Sequence, residues 1–192
     1  MAVKYGFYNS ISGDRKYDAF DFTNVFDSML KDGVYQDIGD KFAVSPLSGL
    51  TVAVGTGRAW FNKTYLYTDA VESLTLDNAE ALLNRIDSIV LEFDITNRIN
   101  SIKIVKGSPA SSPVPPTLQH TETLNQYAIA NVRIGAGVTT ITESDITNIV
   151  GTVDCPYALL SINPWPVISS GTSEPDENTL GYGIDGSLYF AY

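Results

Sequence analysis

The run Asn84-Arg85-Ile86-Asp87-Ser88-Ile89-Val90-Leu91-Glu92-Phe93-Asp94-Ile95-Thr96-Asn97-Arg98-Ile99-Asn100-Ser101-Ile102-Lys103-Ile104-Val105 decides the fold. In an extended chain Ile89, Leu91, Phe93 and Ile95 point one way, and Val90, Glu92 and Asp94 the other. Thr96-Asn97-Arg98 supplies a turn, after which 99–105 returns with Ile102 and Ile104 on one face. The reading is a β-hairpin, 86–95 against 99–105, at the centre of a β-rich domain.

Working upstream, the same period of two appears in Leu50, Val52 and Val54, before Gly55-Thr56-Gly57 interrupts it. Residues 59–61 and 65–67 flank Asn62-Lys63, a two-residue hairpin tip. Residues 71–76 make another short strand, and 78–84 a loop or helical turn. Further back the period changes. Phe22, Val25, Phe26, Met29 and Leu30 recur at helical spacing, which predicts a helix over 18–32. Asp18 is its expected N-cap and Asp21 a carboxylate in the positive first turn, with Lys31 near the end and Gly33 as the stop. Such a helix is expected to cover one side of a sheet; the alternative is an exposed assembly helix.

Downstream, 107–117 carries four prolines in eleven residues. Proline has no ladder donor, so this is an extended surface loop and not a central strand. Residues 125–134 form the next strand, with Ala128, Ala130, Val132 and Ile134 on one face. After the turn Gly135-Ala136-Gly137, 138–142 continues extended and 144–150 is a short helix or turn. Asn163-Pro164-Trp165-Pro166 is a rigid break, and 187–192 alternates as a terminal aromatic strand. The expected organisation is one β-rich domain over 1–168, a β-sandwich or distorted β-barrel with the helix packed on it. A C-terminal extension, 169–192, ends in a strand available to a neighbouring subunit.

Composition narrows the function classes. The 192 residues carry 12 Lys+Arg against 22 Asp+Glu, a net charge of −10, which disfavours a phosphate-binding surface for nucleic acid. There are 11 Tyr, 8 Phe and 2 Trp, but one His and one Cys. Cys155 alone makes neither an intrachain disulfide nor a cysteine zinc site. No stretch reaches membrane-spanning length, and Met1-Ala2-Val3-Lys4-Tyr5-Gly6 lacks the apolar core of a secretory leader.

Candidate chemistry is sparse. His120, with Glu122 two residues on, is the only imidazole available to a Ser-His-acid triad, and a loop histidine is the expected role. Glu92 with Asp87 or with Asp94 makes a possible glycosidase pair. For Glu92 and Asp94 the separation is about 7 Å by strand rise, but any i, i+2 pair has it and a solvated face is expected. Asp176-Glu177-Asn178 with Asp185 offers calcium-type oxygens without EF-hand spacing, and Gly55-Thr56-Gly57 lacks the lysine of a phosphate loop. Trp60, Tyr65, Tyr67 and Trp165 are either core and cross-strand partners or a surface for stacking sugar rings. Arg85 and Asp87 share a strand face and are expected to form an ordinary ion pair.

Several ordered segments carry a resemblance. They are Tyr5-Gly6-Phe7-Tyr8-Asn9-Ser10, Gly13-Asp14-Arg15-Lys16-Tyr17 with the helix after it, and Val52 to Asn62 with its glycine turn and Trp60. Asn84 to Leu91 is the most specific, followed by Lys106-Gly107-Ser108-Pro109-Ala110 with the prolines after it, and by Gln126 to Ile134. The C-terminal segments are Gly171-Thr172-Ser173-Glu174-Pro175 and Gly183-Ile184-Asp185-Gly186-Ser187-Leu188-Tyr189-Phe190. Together they resemble tail, baseplate and fibre-type structural proteins of tailed bacteriophages of Gram-positive hosts. Ile146-Thr147-Asn148 departs from that pattern, where relatives tend to have Asp and Arg after Ile-Thr, so the family's polar contact there is not expected.

The resemblance implies a non-enzymatic virion protein of the tail tip, baseplate or fibre, synthesised in the host cytoplasm. It would act by homo-oligomerisation, with a trimer as the count guessed from the resemblance, and by contacts with other tail proteins, with no cofactor, metal, nucleic-acid or membrane-insertion role. The alternatives are a receptor-binding module for host-surface carbohydrate and, last, a tail-associated glycan hydrolase.

Overall fold

A computed structural model describes residues 6–7, 9–14 and 16–160, and the backbone of three further short strands up to residue 190. The chain divides into two units, Met1–Leu159 and Leu160–Tyr192.

The first unit is mainly β, with helix α1 (Ala19–Met29) preceding ten strands. β1 (Gly33–Gly39), β4 (Gly57–Phe61) and β5 (Thr64–Thr68) form one antiparallel sheet in the order β1-β4-β5. β2 (Val44–Ser48), β3 (Thr51–Val54) and β6 (Glu72–Thr75) form a second, in the order β2-β3-β6. The largest contains β7 (Arg85–Asp94), β8 (Ile99–Val105), β9 (Leu124–Ile134) and β10 (Ile146–Asn148), ordered β10-β9-β7-β8. No sheet closes into a barrel, so the architecture is the sandwich alternative of the two expected from the sequence. One core joins all three sheets, with Val34, Val44, Val54, Phe61, Leu91 and Ile129 among its fully buried members.

The hairpin that decides the fold is present, β7 pairing with β8 from Ser88↔Val105 to Asp94↔Ile99. Asp94 stabilises its turn, accepting from the Asn97 backbone N–H at 2.8 Å and the Asn97 amide at 2.7 Å. The expectation of a solvated Val90–Glu92 face is overturned, because β7 is central and buried on both faces. The proline-rich segment accounts for this. It is tied at one end by Ala110 N–H to Asn84 O (2.9 Å) and at the other by Gln119 N–H to Gln126 Oε1 (3.0 Å). These anchors sit towards opposite ends of β7, between which Ser88 and Val90 are buried.

β9 and the segment after it also depart from expectation. Ile89 opposes Ala130 but Val90 opposes Ala128, leaving Ile129 as a bulge. Of the four residues expected on the core face, Ala130, Val132 and Ile134 keep it while Ala128 turns away, and Ile129 and Tyr127 also reach the core. Residues 138–142 are not a strand, and 144–150 is not a helix. A single 3-10 turn at Glu143–Asp145 leads into β10, which pairs with the free edge of β9 from Ile146↔Val132 to Asn148↔Ala130. Asn148 of β10 makes a two-way polar contact with Val44. Its Oδ1 accepts from Val44 N–H (2.8 Å) and its Nδ2 donates to Val44 O (3.0 Å), so a side-chain amide joins β10 to β2 as a strand would.

Helix α1 begins where expected, with a reciprocal capping box between Asp18 and Asp21. It ends at Met29, because Leu30 is already extended. Gly33 is not the helix stop. It lies in β1 beside 156–158, where a Cβ would sit 2.3 Å from Ala158 N and 2.4 Å from Tyr157 C. The helix touches the sheet through Phe26 on Trp60, but none of its residues is buried. Covering the sheet describes it only in part, since Phe20, Phe22, Val25 and Met29 remain exposed.

In the second unit β11 (Val167–Ile168) runs parallel to β12 (Leu180–Gly183), which pairs antiparallel with β13 (Leu188–Phe190). The terminal strand β13 pairs with β12 and forms one edge of this sheet.

Candidate functional site

The outer face of the β4–β5 hairpin gathers most of the aromatic candidates. Asn62 and Lys63 adopt φ of 52° and 63°, the left-handed pair of a tight hairpin turn. That turn sets the register Trp60↔Tyr65, Ala59↔Leu66 and Arg58↔Tyr67. Ala59, Phe61 and Leu66 consequently enter the core, while Arg58, Trp60, Tyr65 and Tyr67 share the opposite face.

On that face Tyr65 and Tyr67 are 62% and 53% exposed, their rings 6.2 Å apart and within 25° of parallel. The Arg58 guanidinium lies 5.2 Å from the Tyr67 ring centre. Trp60 is 6% exposed, covered in part by the edge of Phe26 at 6.2 Å. Lys63 ties the hairpin tip to the helix, donating to Asn24 Oδ1 (2.8 Å) and pairing with Asp27 (3.3 Å). Between helix and hairpin runs an open trough of about 440 Å³, to which β1 adds Tyr35. The indole Nε1 of Trp60 is buried there without an acceptor.

The trough is held from below. Phe61 stacks on Tyr127 of β9 at 3.9 Å, and Tyr127 Oη donates to Asn62 Oδ1 at 2.8 Å. Burial, reinforced by the charge of Asp32, pushes the Tyr127 phenol up to about 12, so it remains a donor at neutral pH.

The other candidates make the following contacts. His120 is exposed, bridges to Asn125 and sets its ring 5.4 Å from Tyr127; among the described residues no hydroxyl or carboxylate engages it. Glu92 accepts from Lys103 on one oxygen and from Gln126 Nε2 (2.8 Å) on the other. Burial works against its charge, but these two hydrogen bonds and the Lys103 charge outweigh it and hold the carboxyl below its usual range. Asp94 is likewise held low by the Asn97 hydrogen bonds. Thr56 of the glycine turn donates through Oγ1 to Asp40 Oδ2 (2.9 Å), which makes the turn a partner of the Asp40–Phe42 corner. Trp165, Asp176, Glu177, Asn178 and Asp185 lie outside the residues whose side chains are described. Among the described residues no cluster of three metal-ligating side chains occurs.

Arg85 and Asp87 form the expected ion pair with each other, and it is buried. Both residues are 0% exposed, Nε lying 3.1 and 3.2 Å from the two carboxylate oxygens. Arg85 also donates to Asn78 O (2.6 Å) and Asp77 O, and Asp87 accepts from Gly107 N–H (2.9 Å). Compared with protein-family models, with curated proteins and with solved structures, the chain matches none.

The titrating groups set how stability varies with pH. Glu92 and Asp94 have folded pKa values below their unfolded ones, so their stabilisation is complete above the unfolded carboxylate range. It is lost as pH falls through the depressed values. Asp32 has the opposite sign: burial raises it, the Asn62 backbone bond offsets only part, and the Asp27 charge adds to the rise. Its contribution therefore weakens as pH rises from the unfolded value through the raised folded one. The expected result at Glu92 is acid destabilisation. Urea melts of Glu92→Gln and the parent should converge as pH falls from 7 to 3; a constant difference would contradict it. Separately, Cys155 is fully buried, and burial, then the Asp154 charge, pushes its thiol up to about 12. It should resist a thiol reagent at pH 8 in the folded protein and react at once in denaturant.

Proposed function

We propose that the chain is a structural component of a bacteriophage tail tip, baseplate or fibre, acting through oligomerisation and assembly contacts. The observation that carries the assembly part is helix α1, well capped yet with no buried residue along its eleven. Phe20 is 64% exposed, and Phe22, Val25, Phe26 and Met29 are also exposed. Phe7 adds its ring 5.9 Å from Phe22 and is itself exposed. An apolar surface of this kind is the usual mark of a protein–protein contact. The phage part rests on the ordered sequence segments that resemble tail and baseplate proteins. Among the described residues no helix is long and apolar enough to cross a membrane, which agrees with an assembly role and does not select it.

Light scattering coupled to size-exclusion chromatography tests this reading. The parent is expected to run as a homo-oligomer, a trimer by the family resemblance, and Phe20→Ser with Phe22→Ser to shift it toward monomer. A stable parent monomer that binds no other tail protein would remove the proposal.

A further inference from the structure

We propose that the trough between α1 and the β4–β5 hairpin is a saccharide-binding site, with Tyr65 and Tyr67 as the stacking platform and Arg58 as the group that meets an anionic substituent. This goes beyond the assembly reading, since it needs neither a second copy nor another protein.

Three independent observations point to a ligand of this chemistry. The first is geometric: two exposed tyrosine rings within 25° of parallel make a flat, extended apolar surface. A pyranose ring has one such face of C–H groups, with hydroxyls around its rim. Pairs of aromatic rings that serve only to hold a hairpin together have no need to remain more than half exposed. The second is electrostatic. In a chain of net charge −10, Arg58 has no carboxylate partner among the described residues and lies against Tyr67. A guanidinium so placed keeps its edge N–H groups free for a carboxylate or phosphate, which Lys would meet only as a point charge. The third is an unmet donor. Trp60 lines the trough and its Nε1 is buried without an acceptor, a deficit that a ligand oxygen reaching the indole would make good.

The rim supplies polar groups at the other end of the platform. Thr23, Lys63, Thr64 and Asn100 line the continuation of the trough beyond Tyr65. Asn100 is fixed there, donating to Thr64 Oγ1 (3.1 Å) and Tyr65 O (2.8 Å). A ligand that stacks on both tyrosines while reaching from Arg58 to Asn100 is longer than one ring, so the preferred partner is an oligosaccharide. An apolar platform with few directed polar groups gives weak single-site affinity, and a multimeric protein compensates through valency.

The test uses the full chain and a panel of immobilised tetra- to hexasaccharides, neutral and uronate-bearing, read by biolayer interferometry at high surface density. Binding of at least one uronate-bearing member is expected, with at least tenfold loss in Tyr65→Ala and in Tyr67→Ala. Arg58→Ala should weaken uronate-bearing ligands at least tenfold and bring them level with their neutral counterparts. Phe22→Ser, outside the trough, should bind as the parent does once valency is matched, which separates this site from the assembly face. Thermal melts establish that the exposed-site variants remain folded. No binding across the panel, or binding indifferent to both tyrosines, overturns the proposal. So does a Tyr65→Ala or Tyr67→Ala variant that changes only the oligomeric state, which would make the trough a protein interface.

Discussion

Asp87→Ala should cost about 3–5 kcal/mol, the usual consequence of stripping one partner from a buried ion pair. The substitution leaves the Arg85 guanidinium, 0% exposed, with two carbonyl acceptors and no counter-charge. It also orphans the Gly107 N–H. Against the roughly 5–15 kcal/mol that holds most domains folded, this is about a fifth of the total or more. The urea midpoint should drop with little change in slope, and the thermal midpoint by about 6–20 °C for a domain of this size. Arg85→Met combined with Asp87→Leu should recover part of the loss, since removing both charges also removes their desolvation cost. Recovery stays partial because the carbonyls of Asp77 and Asn78 lose their donor. A single-variant loss under about 1 kcal/mol would mean that water reaches the pair, the regime of surface ion pairs.

Gly33→Ala is the second large effect expected, and it arises from shape alone. The added methyl would lie 2.3 Å from Ala158 N, 2.4 Å from Tyr157 C and 2.7 Å from Pro156 O, all backbone atoms that no rotamer change can move aside. The 156–158 segment must lift off β1. That movement strains Val34 N–H to Pro156 O and Ala158 N–H to Val34 O, both 2.8 Å. Overpacking costs about 1–3 kcal/mol and each strained hydrogen bond adds about 0.5–1.5, so a loss near 3 kcal/mol is expected. Cys155 adjoins the displaced segment, and its thiol should become reactive in the native state. Gly135→Ala is the control, because its Cβ first meets the Val138 Cγ1 side chain at 3.1 Å. Equal stability of the two variants, with Cys155 still protected, would contradict the argument.

Parts of this structure that depend on neighbours along the chain are legible in the sequence. The β7–β8 hairpin comes from alternation, the Asn62-Lys63 turn from its position between aromatic runs, and the Asp18 cap from residue type. What failed to show depends on distant segments. Gly33 reads as a helix stop because glycine commonly ends helices; its close neighbour is more than 120 residues away. Ile129 reads as an ordinary strand residue, and only the mismatch with β7 makes it a bulge. The hidden charge of Arg85 and Asp87 depends on 77–78 and Gly107 closing over them, which alternation cannot express. The trough divides the same way. Trp60, Tyr65 and Tyr67 share a face once the hairpin register is known, and Arg58 then falls opposite Tyr67. Tyr35 and Phe26 join them only through tertiary packing.

The sheet order β10-β9-β7-β8 has a consequence for the chain before it folds. Because β9 lies on the far side of β7 from β8, the two consecutive strands cannot share a tight turn. The connection has to leap a strand, and a leap of this length makes the unfolded chain surrender conformational freedom when it closes. Pro109, Pro113, Pro115 and Pro116 lie in that connection. Each fixes φ in the unfolded chain as well as in the folded one, so part of that freedom is absent from the start. Prolines that no central strand would accept thus act on the denatured ensemble, shrinking the search that brings β9 to β7.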